Sequence, residues 1–429
     1  MDKRNYAIFL GAALAIGLVG CSDDDGTENS GQGDKPGTIE LTSTELDAVA
    51  KYNKFGFNML DVVGNSDDFV GKNIIISPVS FNYAFSMLAN GAAGETRSVI
   101  LDALGYDALS IDEVNSLNQK LSKELGRLDS RVTVNFANSL WATPTIPLHN
   151  NFVSTLTSNY DAEVHKINAD TYVKEVNDWC FAKTNGKITD FLSDTSVPDF
   201  ALFNASYFKG IWSQQYKFDS KHTASGVFYN IQGGSTSIKY MNNTFKDDPG
   251  ALSYNKTETM QKCELSFGNG SFGAAFILPD EDVTISQAIE NLANGDWDKL
   301  CKPYAPEDPA FGGVKVNLTL PKFKIESEVR FESIMEELGL ADIYASDADF
   351  SNMSDVDLTI TQVLQKSTFE VDEEGAVAAS VTEIGMESGA YPPKYYDVTL
   401  KFNRPFIYVL YEHSTGAILF AGCVNTFAN

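Results

Sequence analysis

The chain has 429 residues, a hydrophobic fraction of 43% and an aromatic fraction of 12%, which is enough apolar material for a large globular core. The formal net charge of −26 argues against a nucleic-acid-binding protein, because the sequence has no stripe of Lys and Arg that could displace phosphate counterions. We interpret the acidity as a source of solubility.

The N-terminal residues have the pattern of an export signal. Lys3 and Arg4 precede an apolar run that ends at Gly20, and this run is too short to span a bilayer comfortably as a helix. The LVGC motif that ends at Cys21 resembles a bacterial lipobox, in which the cysteine carries the lipid. We therefore expect a signal peptide over residues 1–20 and lipidation of Cys21, with an ordinary signal peptide as the alternative.

The residues that follow predict a flexible tether. SDDD, directly after Cys21, resembles the acidic tag of Bacteroidetes-type lipoproteins that are displayed on the cell surface. The next residues are rich in Gly, Ser, Asp and Asn, which is typical of a flexible linker. We expect an acidic tether over 21–41, a folded domain over 42–429, and a protein that is lipid-anchored in the outer membrane and displayed on the cell surface.

Three stretches place apolar residues at helical spacing, so each predicts an amphipathic helix. Their apolar positions are Leu46, Val49, Ala50, Phe57 and Leu60, interrupted at Asn53; Val173, Val176 and Cys180, closed by Asn185-Gly186; and Phe331, Ile334, Met335 and Leu338, closed by Gly339. Strand-like runs become frequent after residue 200, namely ALFNASYF, FGAAFILP, VKVNLTLP, LTITQVLQ, DVTLKF, IYVLY and GAILFAGCV. Because helices and strands do not alternate regularly, the order predicts an α+β fold with large, mainly antiparallel sheets.

Signatures of catalysis are weak. The G-x-G-x-x-G match from Gly268 to Gly273 is followed by a strand where a dinucleotide site needs a helix, so it predicts a glycine-rich hairpin. The histidines are His149, His165, His222 and His413. The sequence alone leaves a catalytic triad open, but no histidine has a recognisable catalytic context, and we interpret each as a surface or structural residue. We expect no enzyme activity and no cofactor.

The cysteines beyond the lipobox do not form a metal motif. They are Cys180, Cys263, Cys301 and Cys423. They lack CxxC spacing and have no histidine partner at metal spacing, so we expect no metal. Export would permit disulfides, but the apolar surroundings of these residues favour buried free thiols.

A series of sequence blocks occurs in one order along about residues 42–429. They are NIIISPVSFNYAFSMLANGAAGETRSVILDAL from Asn73, VNFANSLW from Val134, NDWCFAKTNGKITDFL from Asn177, LFNASYFKGIW from Leu202, AAFILPDE from Ala274, LPKFKIES from Leu320, LGLADIY and ADFSNMS near 338–354, EVDEEGAVAAS from Glu370 and LKFNRPFIYVL from Leu400. This series is similar to that of the serpins, a family of serine protease inhibitors.

The resemblance implies a serpin fold with three β-sheets, eight or nine helices and a metastable native state. It also implies an exposed reactive loop, at about residues 373–394, between a strand of the central sheet and a strand of a neighbouring sheet. In inhibitory serpins a protease attacks this loop and forms an acyl-enzyme, and the cleaved loop inserts into the central sheet. The partners that follow are target endopeptidases, and we expect a monomer that meets the membrane only through its lipid.

The loop lacks bulky side chains at its start. The hinge positions that the resemblance implies are Glu373, Glu374, Gly375, Ala376, Val377, Ala378, Ala379 and Ser380. Alternate residues of a strand face opposite sides, so one parity must be buried on insertion. The parity that contains Ala376, Ala378, Ser380 and Thr382 is small and uncharged, which predicts an inhibitor. A non-inhibitory serpin and a surface-exposed binding lipoprotein remain the alternatives.

The resemblance also implies residues that gate insertion. At the top of the central sheet, a region called the breach, Trp212 and an ion pair between Glu373 and Lys322 match the family. In the middle of the sheet, the shutter positions are Ser77, Ser80, Asn204 and Gln365. The family usually has histidine where this chain has Gln365, and glutamine does not titrate near neutral pH. We therefore expect a shutter without pH sensitivity.

The bond that a protease attacks is predicted from the usual spacing to the hinge glycine. This spacing places the bond at Gly389-Ala390, shortly before a proline pair, with Met386-Glu387 and Ser388-Gly389 as alternatives. Glycine before the bond suits elastase-like, subtilisin-like or papain-like proteases. No Arg or Lys lies between Gly375 and Pro393, which disfavours trypsin-like targets.

Overall fold

A computed structural model describes residues 35–193, 196–247, 251–306, 308, 311–345, 347–358, 360, 362–375 and 394–427. The predicted signal peptide and Cys21 lie outside the described residues, and so does most of the predicted reactive loop. The loop residues concerned are the hinge positions Ala376, Val377, Ala378, Ala379 and Ser380 and the bond candidates Met386, Glu387, Ser388, Gly389 and Ala390.

Eight α-helices occur within the described residues. They are α1 (Ser43–Asn65), α2 (Pro78–Gly91), α3 (Gly94–Ala103), α4 (Ile111–Leu125), α5 (Asn150–Tyr160), α6 (Tyr172–Lys183), α7 (Ile285–Asn291) and α8 (Trp297–Leu300). Of the helices that the structure describes, none combines the length and hydrophobicity needed to cross a bilayer. In the same residues, no cluster of His, Cys, Asp and Glu has the arrangement of a metal site.

Helix α1 begins with a capping box, in which the side chains of Thr42 and Glu45 each accept a hydrogen bond from the backbone of the other. Three of its predicted core residues are buried, but Leu46 and Ala50 are exposed. Asn53, predicted as a polar interruption, is buried because its amide donates to the Gly416 carbonyl over 2.8 Å. The helix therefore uses a hydrogen bond where periodicity suggested a gap.

The second predicted helix forms as α6, and the third does not form. Only a 3-10 turn at Phe331–Ser333 is present, although the four apolar residues of the third pattern are all buried. Phe331 packs edge-on against Phe81 at 4.8 Å, and the Glu332 carboxylate accepts a hydrogen bond from the backbone of Val363. These tertiary contacts hold the segment in turns, so the helix prediction was wrong while its burial pattern was right.

Fifteen strands lie in the described residues. They are β1 (Ile74–Ile76), β2 (Val132–Ala142), β3 (Glu163–Lys166), β4 (Phe200–Gly210), β5 (Ala224–Tyr229), β6 (Ser235–Asp247), β7 (Tyr254–Lys256), β8 (Met260–Phe267), β9 (Phe272–Pro279), β10 (Phe311–Pro321), β11 (Phe323–Arg330), β12 (Gln362–Val371), β13 (Lys394–Lys401), β14 (Phe406–Glu412) and β15 (Ile418–Val424). The predicted LTITQVLQ strand begins later than expected, at Gln362, and the G-x-G-x-x-G motif is the hairpin turn between β8 and β9.

The strands form three sheets, as predicted for an α+β fold of this kind. The central sheet has the order β11-β12-β4-β2-β3, the six-stranded sheet β1-β15-β14-β9-β8-β7, and the four-stranded sheet β13-β10-β6-β5. Most of the core lies around the six-stranded sheet, where every residue of β9, β14 and β15 is buried. A smaller apolar cluster fills the space between α6 and the outer face of the central sheet.

Candidate functional site

The site is built around one strand pair of the central sheet. Strands β12 and β4 lie side by side and run parallel, paired from Gln362 with Ala201 to Thr368 with Tyr207. Beyond Thr368 both strands continue without pairing to each other, and their free ends flank a cleft that reaches Gly375. We call this strand pair the seam. A strand placed between two parallel neighbours can run antiparallel to both, which is the stronger pairing.

Trp212 joins the open end of the seam to the start of the loop. Its indole N–H donates to the Asp372 carbonyl over 2.9 Å, and its backbone N–H donates to the Glu374 carbonyl over 3.1 Å. The ring is buried and stacks on Phe267, with 4.4 Å between centroids. At Gly375 the φ angle is +79°, and a Cβ atom would lie 2.5 Å from the Trp212 nitrogen, so this turn requires glycine.

Glu373 makes the ion pair that the resemblance implied. Its carboxylate contacts the Lys322 ammonium and accepts a hydrogen bond from the Thr223 hydroxyl over 2.7 Å. Partial burial raises the pKa of Glu373, but the hydrogen bonds from Lys322 and Thr223 outweigh burial and lower it overall. The breach residues Trp212, Lys322 and Glu373 therefore meet at one end of the seam. Thr223 and Phe267 were not predicted, because neither carries a local signal.

Three of the four shutter residues meet beneath the middle of the seam. The Gln365 side chain accepts from the Ser77 N–H over 2.8 Å and donates to the Ser77 carbonyl over 3.0 Å. The Ser77 hydroxyl donates to the Leu419 carbonyl over 2.7 Å and accepts from the Ser80 N–H as the cap of α2. These side chains are fully buried, so Gln365 connects β12 to both α2 and the six-stranded sheet.

Asn204 occupies the same level of the seam but has a different partner. It lies opposite Gln365 in the strand register, and its amide donates to the Asn138 side chain on β2 over 2.8 Å. Two residues further along each strand, the hydroxyl groups of Ser206 and Ser367 form a hydrogen bond across the seam, with 2.7 Å between the oxygen atoms. The inner face of the seam is thus a ladder of buried polar side chains. Its sequence signal was the pair of polar residues at alternate positions, Asn204 and Ser206, in the run LFNAS.

The outer face of the seam is covered. Helix α6 and the segment that follows it pack across β2, β4 and β12 through side chains that include Phe203 and Leu364. Lys366 lies on this face, pairs with Glu326 at 3.4 Å and also donates to the Asp190 carbonyl of the covering segment. A strand that entered the seam would therefore have α6 and the segment after it on one face, and the polar ladder on the other.

His149 and His165 make structural contacts, and the four cysteines in the described part of the chain are free thiols. His165 stacks on Trp141 at 4.1 Å and bonds to Glu163, while His149 pairs with the exposed Asp355. Among the residues that the structure describes, the free thiols are those of Cys180, Cys263, Cys301 and Cys423, of which Cys301 is half-buried and the others are buried. Burial raises the pKa of Cys180 and of Cys301 to about 12, so these thiols remain protonated and unreactive at neutral pH.

Within the described residues, three sheets, eight α-helices and a parallel seam that is open near Gly375 make up the architecture that the sequence resemblance implied. A protein-family model, described as "Serpin (serine protease inhibitor)", matches residues 50–426. The chain belongs to the serpin family.

Known relatives agree with this assignment over nearly the whole chain. Iripin-3 of Ixodes ricinus is 30% identical over 393 residues, which cover 87% of this chain and 93% of the relative. The solved structure of tengpin, a thermophilic serpin in its native state, has a TM-score of 0.76 at 26% identity and covers 92% of this chain and 97% of its own. Human thyroxine-binding globulin with its ligand has a TM-score of 0.75, with 90% and 100% coverage, but its 22% identity is evidence for the fold alone.

Proposed function

We propose that this serpin inhibits serine endopeptidases, and papain-like cysteine endopeptidases where their specificity allows, by suicide-substrate trapping. The protease cleaves the loop after Gly389, remains attached as an acyl-enzyme, and is immobilised when residues 375–388 enter the seam. The observation that carries the proposal is the seam itself. Its two strands are parallel neighbours, its inner face is polar, and its open end lies at Gly375, where the loop begins.

The energetics favour insertion by this chain. Each new ladder bond contributes about 0.5–1.5 kcal/mol net, and roughly ten residues can form such bonds on entering the sheet. A buried, unpaired charge would oppose insertion by several kcal/mol. The first charged side chain after the hinge is Glu383, and it lies on the parity opposite to the small, uncharged one. Little in the sequence of the hinge therefore resists insertion, and a metastable native state follows.

The target class rests on the loop sequence. With Gly389 before the cleaved bond and no basic residue in the loop, elastase-like and subtilisin-like enzymes are the proposed targets. The lipobox-like LVGC motif, through lipidation of Cys21, and the SDDD tag support the proposal that the protein is anchored in the outer membrane and lies on the cell surface. At that position the inhibitor meets proteases outside the cell.

The test is to incubate the protein with elastase, subtilisin, trypsin and papain and to separate the products on denaturing gels. We expect a covalent complex with elastase or subtilisin, and a released fragment whose N-terminal sequence begins at Ala390. A start at Glu387 or Gly389 would identify one of the alternative bonds. The unfolding temperature of loop-cleaved protein should rise sharply, because the inserted strand completes the sheet.

The alternative is a serpin that does not inhibit, such as a carrier or a chaperone. The fold by itself does not decide between an inhibitor and a carrier, because the same fold occurs in a protein named for binding thyroxine. Clean cleavage of the loop by every protease in the panel, without a covalent complex, would refute the trapping proposal and favour this alternative.

A further inference from the structure

A second buried polar cluster lies at the edge of the six-stranded sheet, and neither the breach nor the shutter uses it. It consists of Lys262, Glu264, Tyr411 and His413, which we call the charged cluster. One carboxylate oxygen of Glu264 accepts from the Lys262 ammonium and from the Tyr411 hydroxyl, each over 2.7 Å. The other oxygen faces Nε2 of His413 at 2.7 Å. Lys262 and Glu264 are almost completely buried, with exposed side-chain fractions of 0% and 2%.

The His413 ring faces an acceptor on each side. Its Nδ1 atom lies 2.6 Å from the Gly270 carbonyl oxygen, and its Nε2 atom lies 2.7 Å from the Glu264 carboxylate. A neutral imidazole has one N–H, whereas the imidazolium has two. Only the protonated ring satisfies both contacts, since in the neutral ring a nitrogen lone pair would face an oxygen lone pair.

The surrounding charges favour the protonated ring. Burial lowers the pKa of His413, but the hydrogen bond and charge of Glu264, the Gly270 carbonyl and the charge of Glu412 raise it above its usual value overall. Burial also raises the pKa of Glu264, and Lys262 together with His413 more than compensates, so this pKa falls to about 2. Glu264 is therefore ionised at every pH at which His413 titrates.

The other titratable groups near the ring are Tyr411 and Glu412, which directly precede His413, and residues in or next to two helices. Tyr411 packs edge-on against His413 at 5.0 Å, and burial raises the pKa of its hydroxyl well above 10. The carboxylate of Glu412 is occupied by the backbone and hydroxyl groups of Ser414 and Thr415. A second cleft, beside His413, is also lined by Lys54 of α1, Asp298 of α8 and the unreactive Cys301, which follows α8.

The charged cluster holds the hairpin that supports the breach. The backbone N–H of His413 donates to the Ser271 carbonyl, and its ring binds the Gly270 carbonyl, so two of the bonds that hold the turn between β8 and β9 come from His413. On its other side the same turn contacts the end of β4, because Gly268 donates to the Ile211 carbonyl over 2.8 Å. Phe267, at the start of the turn, stacks on Trp212. One hairpin thus separates His413 from the open end of the seam.

The N-terminal segment is fastened to the same place. The backbone of Gly37 donates to the Ser271 hydroxyl over 2.8 Å, and that of Ile39 donates to the Ser414 hydroxyl over 2.9 Å. Residues 35–41, which we predicted to be part of the tether, therefore lie against the folded domain and contact the β8–β9 hairpin. A change in the position of the hairpin would therefore alter its contacts with both Trp212 and this segment.

We propose that His413 is a pH-dependent clamp on the breach: the protonated ring fixes the β8–β9 hairpin, and loss of its proton frees Gly270 and loosens the support of Trp212. The sign follows from linkage. A histidine whose folded pKa is raised stabilises the fold fully below the unfolded pKa, near 6.5, and this contribution is lost as the pH rises through the folded pKa. Alkaline conditions should therefore loosen the breach. The clamp stands independently of the trapping proposal, and only its effect on strand insertion rests on it.

The first test compares His413→Gln with the matched control His222→Gln. His222 is exposed, and the chain has only four histidines, so few groups titrate in this range. As the pH is raised from 6 to 9, we expect wild type and His222→Gln to lose thermal stability relative to His413→Gln, measured as the midpoint temperature of unfolding. Each unit by which the folded pKa exceeds 6.5 changes the folding equilibrium tenfold across this range. The same pH dependence in His413→Gln as in wild type would overturn the clamp.

Two measurements on wild type keep the test decisive if the variant folds poorly. Deuterium exchange at the imidazole C2 position, read by mass spectrometry, reports the pKa of each histidine, and that of His413 should lie above 6.5. Amide exchange of residues 267–272, corrected for its intrinsic pH dependence, should accelerate above the His413 pKa. A His413 pKa below 6.5, or hairpin exchange that does not change with pH, would contradict the proposal.

A third measurement addresses insertion alone. A synthetic peptide with the sequence of residues 376–388 should enter the seam faster above the His413 pKa in wild type, and at a pH-independent rate in His413→Gln. If the hairpin exchange responds to pH but peptide entry does not, the clamp is retained and its link to insertion is refuted. The pH dependence of unfolding and that of hairpin amide exchange do not involve a protease, so they test the clamp even if the protein fails to trap proteases.

Discussion

The central sheet and the six-stranded sheet of this protein are built on opposite principles. In the six-stranded sheet every strand pair is antiparallel, and β9, β14 and β15 are buried along their whole length. In the central sheet the seam is parallel, its inner face carries paired Ser, Asn and Gln side chains, and its upper end is open.

The difference separates stability from rearrangement. The apolar side chains of the six-stranded sheet are closely packed. Separation of its strands would expose apolar surface to water and create cavities, so opening this sheet costs much free energy. Paired hydroxyls and amides contribute little net energy each, and they can form equivalent bonds with an incoming strand. The hydrophobic core thus holds one sheet closed, while the polar ladder leaves the other able to gain a strand.

The largest expected effect comes from a charge placed on the parity that must be buried in the seam. We predict that Ala378→Glu abolishes trapping, because a carboxylate forced beneath the packed sheet costs several kcal/mol and insertion becomes slower than hydrolysis of the acyl-enzyme. The matched control is Val377→Glu, on the opposite parity, which should trap normally. Gel quantification of complex against cleaved inhibitor measures the partition. Equal trapping by both variants would show that the seam does not take up the loop in this register.

A pair of truncations compares the two sheets directly. Ile407→Ala, in β14, should lower the free energy of unfolding by about 2–5 kcal/mol through transfer and cavity terms. The single change Ser367→Ala should cost about 1–3 kcal/mol, because it leaves the Ser206 hydroxyl without its partner, whereas the double change Ser206→Ala/Ser367→Ala should be nearly neutral. Urea unfolding measures each value. A double variant as unstable as Ile407→Ala would contradict the contrast between the sheets.

The breach ion pair should have a modest effect on stability and a clear one on pH dependence. Glu373→Gln should cost about 1 kcal/mol or less at neutral pH, since Lys322 is partly exposed. The lowered pKa of Glu373 means that its contribution is present above the unfolded pKa and is lost as the pH falls through the folded pKa. The variant should therefore equal wild type in acid.

The control for this prediction is Lys324→Ala, which removes a lysine that lines the same cleft. Thermal unfolding of the three proteins from pH 3 to 7 tests the expectation. The ion pair has no role in the breach if Glu373→Gln and Lys324→Ala follow the same curve.

The smallest effect concerns the shutter. Gln365 satisfies both backbone groups of Ser77 without titrating, so insertion should not change between about pH 5 and 7 through this residue. Gln365→His should make the rate of peptide insertion pH-dependent in that range. Both forms are compared in the His413→Gln background, so that only residue 365 differs. Dependence already present with Gln365 would refute this account of the shutter.

Sequence reasoning located the parts of the site that carry local patterns. Trp212, Lys322 and Glu373 come together, as do Ser77, Ser80 and Gln365, because the serpin-like blocks carry their relative positions along the chain. It did not identify Asn138 as the partner of Asn204, since the two residues lie on different strands and no spacing links them. It also assigned a helix to the segment after Phe331, where contacts with Phe81 and Val363 outweigh local periodicity.

What the sequence by itself determined is whatever depends on neighbouring residues: the α+β class, the location of the predicted strand segments, the glycine-rich hairpin and the small, uncharged parity of the hinge. What only the tertiary structure decided is which distant side chains meet. Ser206 and Ser367 are separated by 161 residues, and Glu264 and His413 by 149. The physical reason is that a hydrogen bond or ion pair in the interior depends on distances of about 3 Å between atoms whose separation along the chain carries no signal. The polar ladder and the charged cluster therefore arise only when the three sheets pack together.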